Sequence, residues 1–239
     1  MRRDMRQDQQ LGVTLERIEA AAQAAGFGVL GAFHPDENDG APEIDGAPAG
    51  AILLLALRAP DAWAVFANSP EARDGAPHPL DRWSRRLGTR LAEELGATAL
   101  FPFDGPPYYP FLRWAERTGQ AWPSPIGMSV HSDRGLWFSA RFALATPTAL
   151  ALPPRTAAKP CDGCADRPCK TACPVDAFAT GVYDVDACAA HLRSAEGGDC
   201  IERGCLARRA CPAGRAFAPI PAQANFHMSA FLRARNGTS

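Results

Sequence analysis

The stretch Cys161-Asp162-Gly163-Cys164-Ala165-Asp166-Arg167-Pro168-Cys169-Lys170-Thr171-Ala172-Cys173-Pro174 decides how this chain is read. Its spacing is C-x2-C-x4-C-x3-C-P, two residues longer in the middle gap than the bacterial ferredoxin run C-x2-C-x2-C-x3-C-P. A tight loop of this kind offers three thiolates to three corners of one iron–sulfur cubane. The fourth cysteine, just ahead of the proline, points to a neighbouring cluster. The proline keeps the chain out of helix and has no N–H to leave unpaired in a buried turn.

A two-cluster module needs a second half, and Cys188, Cys200, Cys205 and Cys211-Pro212 supply it. The crossed rule assigns Cys161, Cys164, Cys169 and Cys211 to one [4Fe–4S] cluster, and Cys173, Cys188, Cys200 and Cys205 to the other. All eight cysteines are then used, and none of them precedes residue 161. In a reducing compartment such a concentration points to metal ligands rather than disulfides. A pair of zinc sites is the competing reading. Zinc favours separated C-x2-C knuckles, two to a site, and the chain has one C-x2-C pair, which favours clusters. The second block, C-x4-C-x5-C-P, is irregular and leaves open a distorted or three-iron second cluster. His191, three residues after Cys188, is expected at the surface or beside the ligands, since the ligand set is already full.

Working outward, residues 147–160 hold four prolines and no periodicity, which marks a boundary. Ahead of it, Thr14 opens a helix with Leu15, Ile18, Ala22 and Ala25 on one face, closed by Gly26. Phe27–Phe33 reads as a strand, 34–50 as a loop and Ala51–Leu57 as a buried strand. Leu80, Trp83, Leu87, Leu91 and Leu95 mark a strong amphipathic helix ending at Gly96, and 97–103 reads as another strand. A loop from Asp104 to Pro110 and a short helix ending at Gly119 follow. Residues 126–131 and 136–144 then read as a hairpin turning at 132–135. Strands interleaved with helices predict an α/β (α+β) layer domain with a mixed sheet over residues 11–150. A ferredoxin-like module over 155–220 comes next, and a C-terminal helix and tail over 221–239, with Phe226 and Phe231 as core contacts.

A chain of 239 residues, 46% hydrophobic, is ample for one sizeable core plus a small module. A formal net charge of −1 gives no reason to expect nucleic acid or an anionic membrane as partner. Twenty-three of the 25 basic residues are Arg, the habit of a GC-rich coding sequence rather than of anion recognition. The polar start has no apolar signal core, and the longest apolar run, 47–57, is about half the ~20 residues of a membrane span. A soluble, cytoplasmic protein is expected.

The order of features ahead of the cysteines, together with the cysteine blocks, resembles the epoxyqueuosine reductase family, cobalamin-dependent iron–sulfur enzymes related to reductive dehalogenases. The likeness runs from the helix ending in Gly26-Phe27, through the loop Asp104-Gly105-Pro106-Pro107 and the aromatic helix ending at Gly119, to Gly135-Leu136-Trp137-Phe138. The resemblance implies a nitroreductase-like first domain that binds cobalamin (flavin is the alternative), with clusters delivering electrons to it. It also implies Asp104 as proton donor and an electron-donor protein of flavodoxin or ferredoxin reductase type as partner. Tyr108 and Tyr109 are candidates to line the cofactor pocket, their other reading being packing beside the proline-rich loop. His131 and Arg141 are candidates to face a cofactor phosphate, their other reading being solvated surface. The chain departs from the family in lacking a lysine across residues 121–128 and in having no helical-repeat domain after Pro221. An electron carrier that docks a partner protein, and a corrinoid-handling protein without turnover, remain alternatives to a reductase.

Overall fold

The computed structural model describes residues 13–58, 61–154 and 156–236, so residues 11 and 12 of the expected first domain lie outside the described residues. Along the chain run α1 (Leu15–Ala24), β1 (Phe27–Phe33), β2 (Glu43–Ile44), β3 (Ala47–Pro48), β4 (Ala51–Leu57), α2 (Asp61–Ala67), α3 (Pro70–Arg73), α4 (Pro79–Leu95) and β5 (Thr98–Leu100). There follow α5 (Phe111–Arg117), β6 (Ala121–Pro123), β7 (Ser129–His131), β8 (Ala140–Thr146), α6 (Val185–Arg193), α7 (Gly198–Arg203), α8 (Leu206–Ala210) and α9 (Pro221–Asn236). The described residues divide into two compact units, one of 13–58, 65–118 and 140–154, the other of 61–64, 119–139 and 156–236. Among them no helix is long and apolar enough to cross a membrane.

The first unit is built on a four-stranded sheet of order β1-β4-β8-β5. All seven residues of β4 are apolar and all are buried, which only a central strand covered on both faces permits. The expected mixed sheet does not form. Every pairing is antiparallel, and β8 sits between β4 and β5, which share a direction without touching. The expected hairpin of 126–131 with 136–144 does not form either. β7 pairs instead with β6, Ala121 opposite His131 and Pro123 opposite Ser129. The Ser124 N–H to Met128 carbonyl bond (2.9 Å) and the positive φ of Gly127 (75°) close that nearer turn. β8 is needed elsewhere, because Phe142, Ala143, Leu144 and Ala145 are apolar on consecutive positions and require cover on both faces.

Helix ends follow the local chemistry. The Thr14 hydroxyl accepts the Arg17 N–H, and Gly96 ends α4 in the left-handed conformation at φ 64°. The apolar stripe of α4 carries Trp83 against Phe27, ring centroids 5.3 Å apart, and Phe27 meets Phe142 edge-on at 4.8 Å. Gly88 lets α4 close on this cluster, since a Cβ there would stand 3.1 Å from both the Phe101 and Phe142 rings. On β1 a bulge between Val29 and Gly31 shifts the register, and Gly31 backs onto Thr118, whose Cβ would be 2.7 Å from an added methyl.

In the second unit, β6 and β7 form a short hairpin and the rest is helix and turn. Ile126, Val130, Leu136, Phe178 and Ala207 share one core with Cys169 and Cys211. Trp63 packs edge-on against Phe226 of α9 at 5.2 Å, so residues 221–236 belong to the cysteine unit rather than forming a separate tail.

In the first unit, Arg86 grips Glu71 with two hydrogen bonds, Nε to Oε1 at 2.5 Å and Nη2 to Oε2 at 3.0 Å. That grip holds the Glu71 carboxyl down at about 2, outweighing the effect of burial. A depressed carboxyl stabilises the fold above its unfolded value and loses that contribution as pH falls through the folded value. Glu71→Gln is therefore expected to cost about 1 kcal/mol at pH 7. In thermal unfolding, the gap between wild type and variant should hold from pH 7 to 5 and shrink as pH falls toward about 2. A gap independent of pH would contradict the assignment.

Candidate metal centres

Two hollows open in the second unit, each walled by four cysteines. The first is lined by Cys161, Cys164, Cys169 and Cys211 together with Pro125, Pro160, Arg167, Pro168, Pro212 and Ala213. The Cys164 N–H bonds the Cys161 carbonyl (3.3 Å), which makes a tight C-x2-C turn. The two extra residues of the C-x4-C gap are taken up where Arg167 adopts a left-handed conformation (φ 42°) ahead of a 3-10 turn over Pro168–Lys170. Cys169 is thereby turned inward. Cys211 ends α8 in extended conformation, directed by Pro212.

A backbone crossing holds that last cysteine in place. Gly135 and Gly214 both have positive φ, 55° and 72°. A Cβ on Gly135 would lie 2.1 Å from the Ala213 carbonyl oxygen, and one on Gly214 would lie 2.1 Å from the Arg134 carbonyl. The loop after Cys211-Pro212 thus lies directly on the turn that follows β7, with no room for a side chain on either strand of the crossing. His131 frames this turn. Its buried ring accepts the Asp133 N–H at Nδ1 (3.1 Å), and its backbone exchanges two 2.9 Å bonds with Gly135.

The second hollow is lined by Cys173, Cys188, Cys200 and Cys205, with Pro174, Val175, Phe178, His191, Leu192, Leu206, Ala207 and Met228 around them. Cys188 sits in the first turn of α6, which is capped by the Asp184 carboxylate accepting the Ala187 N–H at 2.9 Å. Cys200 lies on α7 and Cys205 caps α8, and Gly204 (φ 85°) makes the sharp reversal between them. His191 stands on the wall of this hollow rather than at the open surface.

Cys169, Cys200 and Cys211 are buried, and the other five cysteines are partly exposed. Burial pushes the Cys161, Cys169, Cys188 and Cys200 thiols up, and neighbouring cysteines push them further. Positive charge opposes this unevenly: Lys159 acts on Cys161, and Arg209 on Cys200. Arg208 is half-buried near Cys205, its guanidinium 4.4 Å above the Trp137 ring and its Nε bonded to the Leu136 carbonyl at 2.9 Å. Tyr183, stacked on Phe178 at 4.9 Å, lies near Cys188, and burial above all pushes its hydroxyl above the usual tyrosine range. Nothing in the spacing of the cysteines signals Tyr183 or the two arginines. Among the described residues no group of three or more His, Cys, Asp or Glu side chains is drawn together as a site for a single metal ion.

The remaining candidates each have surroundings of their own. Asp104 forms an ion pair with Arg85, whose guanidinium lies 4.7 Å and 4.9 Å from the Phe101 and Phe103 rings. Tyr108 is exposed, and Tyr109 packs on Trp114 with centroids 5.5 Å apart. Arg141 is not the solvated surface residue of its alternative reading. It is half-buried in β8, paired with Asp81 and bonded to the Ser84 hydroxyl at 3.2 Å. His131 is buried. Comparisons with protein-family models, with curated proteins and with solved structures find no match.

The partition of cysteines has a direct test in paired variants of the reconstituted protein. Cys161→Ser combined with Cys211→Ser should leave about half the wild-type iron, because both changes strike one hollow. Cys161→Ser combined with Cys205→Ser should leave almost none. The reverse pattern of iron content would refute the crossed sets.

Proposed function

We propose that the chain is an iron–sulfur redox protein whose second unit binds two [4Fe–4S] clusters. It feeds electrons to a reduction on the first unit, as the resemblance to the epoxyqueuosine reductase family implies. The observation that carries this reading is the division of eight cysteines into two sets of four, each lining its own hollow.

When bound, the clusters supply one-electron transfer. The chain's own residues hold the thiolates, keep water out through Ile126, Val130, Phe178 and Ala207, and oppose the negative charge with Arg208 and Arg209. In this reading the second unit is ferredoxin-like, the first is nitroreductase-like, and the protein works in the reducing cytoplasm.

A second reading, a ferredoxin-type electron carrier whose first unit docks a partner protein, is favoured by one observation. Asp104, Tyr109 and Arg141 are each engaged by a neighbour within the first unit, and Tyr108 faces solvent. Three of these four residues are thus committed to contacts of their own.

Anaerobic reconstitution should yield about eight iron and eight labile sulfide per chain. Stoichiometric zinc with negligible sulfide would sink the proposal. Adding cobalamin or flavin to the loaded protein then separates the two readings. Altered cofactor bands that bleach on reduction through the clusters support the reductase, and unchanged bands support the carrier.

A further inference from the structure

Cys211 is the one wall cysteine of the first hollow that the loop from Cys161 to Cys169 does not supply. It ends α8, a helix of five residues, too short to hold a side chain in place by itself. What holds it is a turn that belongs to neither cysteine block, residues 131–137. That turn is closed on itself: Gly135 and His131 exchange two 2.9 Å backbone bonds, and the Trp137 N–H donates to the Arg134 carbonyl at 2.9 Å. The chain grips it on both sides of Cys211. Three residues before, Arg208 places its Nε on the Leu136 carbonyl at 2.9 Å and its guanidinium over Trp137. Two and three residues after, Ala213 and Gly214 lie against Gly135 and Arg134, where an added Cβ would stand 2.1 Å from a backbone atom. Further on, the Phe217 ring takes the Arg134 guanidinium at 4.9 Å. Ala213 also walls the first hollow, whereas the described lining of the second includes nothing from 131–137 or 213–214.

We propose that the turn of residues 131–137 is the positioning element for Cys211, so that the first centre, and not the second, is complete only while Gly135 and Gly214 keep the two backbones in direct contact. This rests on the two-cluster reading. The magnitudes favour a selective effect. A Cβ is essentially never found closer than 3.0 Å to another heavy atom, so a methyl on either glycine parts the backbones by about 1 Å. A metal ligand must be held within about 0.5 Å of its working place. Cys211, two residues from the crossing and fixed in direction by Pro212, moves with the strand that carries it. Gly135, Gly214 and Arg208 are positioning residues, acting on the centre only through Cys211.

The test is the iron and labile sulfide content of the full chain after anaerobic reconstitution. Gly135→Ala and Gly214→Ala should each retain about half the wild-type iron. Gly127→Ala is the control: it lies in the same hairpin with the same positive φ (75°), but its Cβ would meet nothing within 4 Å, and it should retain all of the iron. Added to Cys161→Ser/Cys211→Ser, Gly135→Ala should cause no further loss. Added to Cys173→Ser/Cys188→Ser, it should leave almost none. Arg208→Lys brings no clash, so it tests the proposal even where a glycine variant does not fold. It keeps the charge and removes the Nε bond and the flat stack on Trp137. With Cys173→Ser/Cys188→Ser it should lose iron to a chelator about tenfold faster than that parent, and with Cys161→Ser/Cys211→Ser no faster. Full iron in both glycine variants, loss from the second hollow instead, or equal loss in Gly127→Ala would overturn the proposal and leave the two-cluster reading standing. A wild type without clusters defeats both.

Discussion

Four thiols gathered around one hollow ionise together only at high cost unless a cation stands among them. Burial raises Cys161 and Cys169 in one hollow and Cys188 and Cys200 in the other, and neighbouring cysteines raise them again, which favours a hollow filled either with protons or with metal. Binding of a metal centre then displaces protons and converts a costly arrangement into a stabilising one. The second unit repeats this arrangement twice around a single apolar core, in which Cys169 and Cys211 lie beside Phe178 and Ala207. Its modest share of regular structure follows, because turns rather than helices aim the sulfurs.

The turns that do the aiming depend on a few backbone positions. Arg167 and Gly204 reverse the chain where two cysteines must face one hollow. Gly135 and Gly214 let two turns lie on one another without side chains between them, and so return Cys211 to a set that begins fifty residues earlier. The helices contribute through their ends, with Cys188 in the first turn of α6 and Cys205 capping α8.

What the sequence revealed follows from how local each signal was. Periodicity and end residues marked α1, α4, β1 and β4, because the Thr14 cap, the Gly96 stop and the unbroken apolar run of β4 act within a few positions. The grouping of cysteines was legible for the same reason, being written in short spacings and two Cys-Pro steps. Long-range partners were not legible. β8 read as half of a hairpin because its real neighbours, β4 and β5, lie far back in the chain. Arg141 read as surface because its acidic partner, Asp81, is sixty residues away. Tyr183 drew no notice because a tyrosine five residues before a cysteine carries no pattern of its own. Asp104 was singled out by resemblance, and its engagement by Arg85 was not foreseeable from its loop.

The central claim is that each set of four cysteines holds a polynuclear iron–sulfur centre. X-ray absorption at the iron edge tests it most directly, because the signal reports the neighbours of the metal itself. The account predicts sulfur as the first neighbour of iron and a second shell of iron around iron, undiminished in Cys161→Ser/Cys211→Ser, where the other hollow stays intact. An edge spectrum with sulfur neighbours and no metal–metal shell, as an isolated tetrathiolate ion gives, would contradict it.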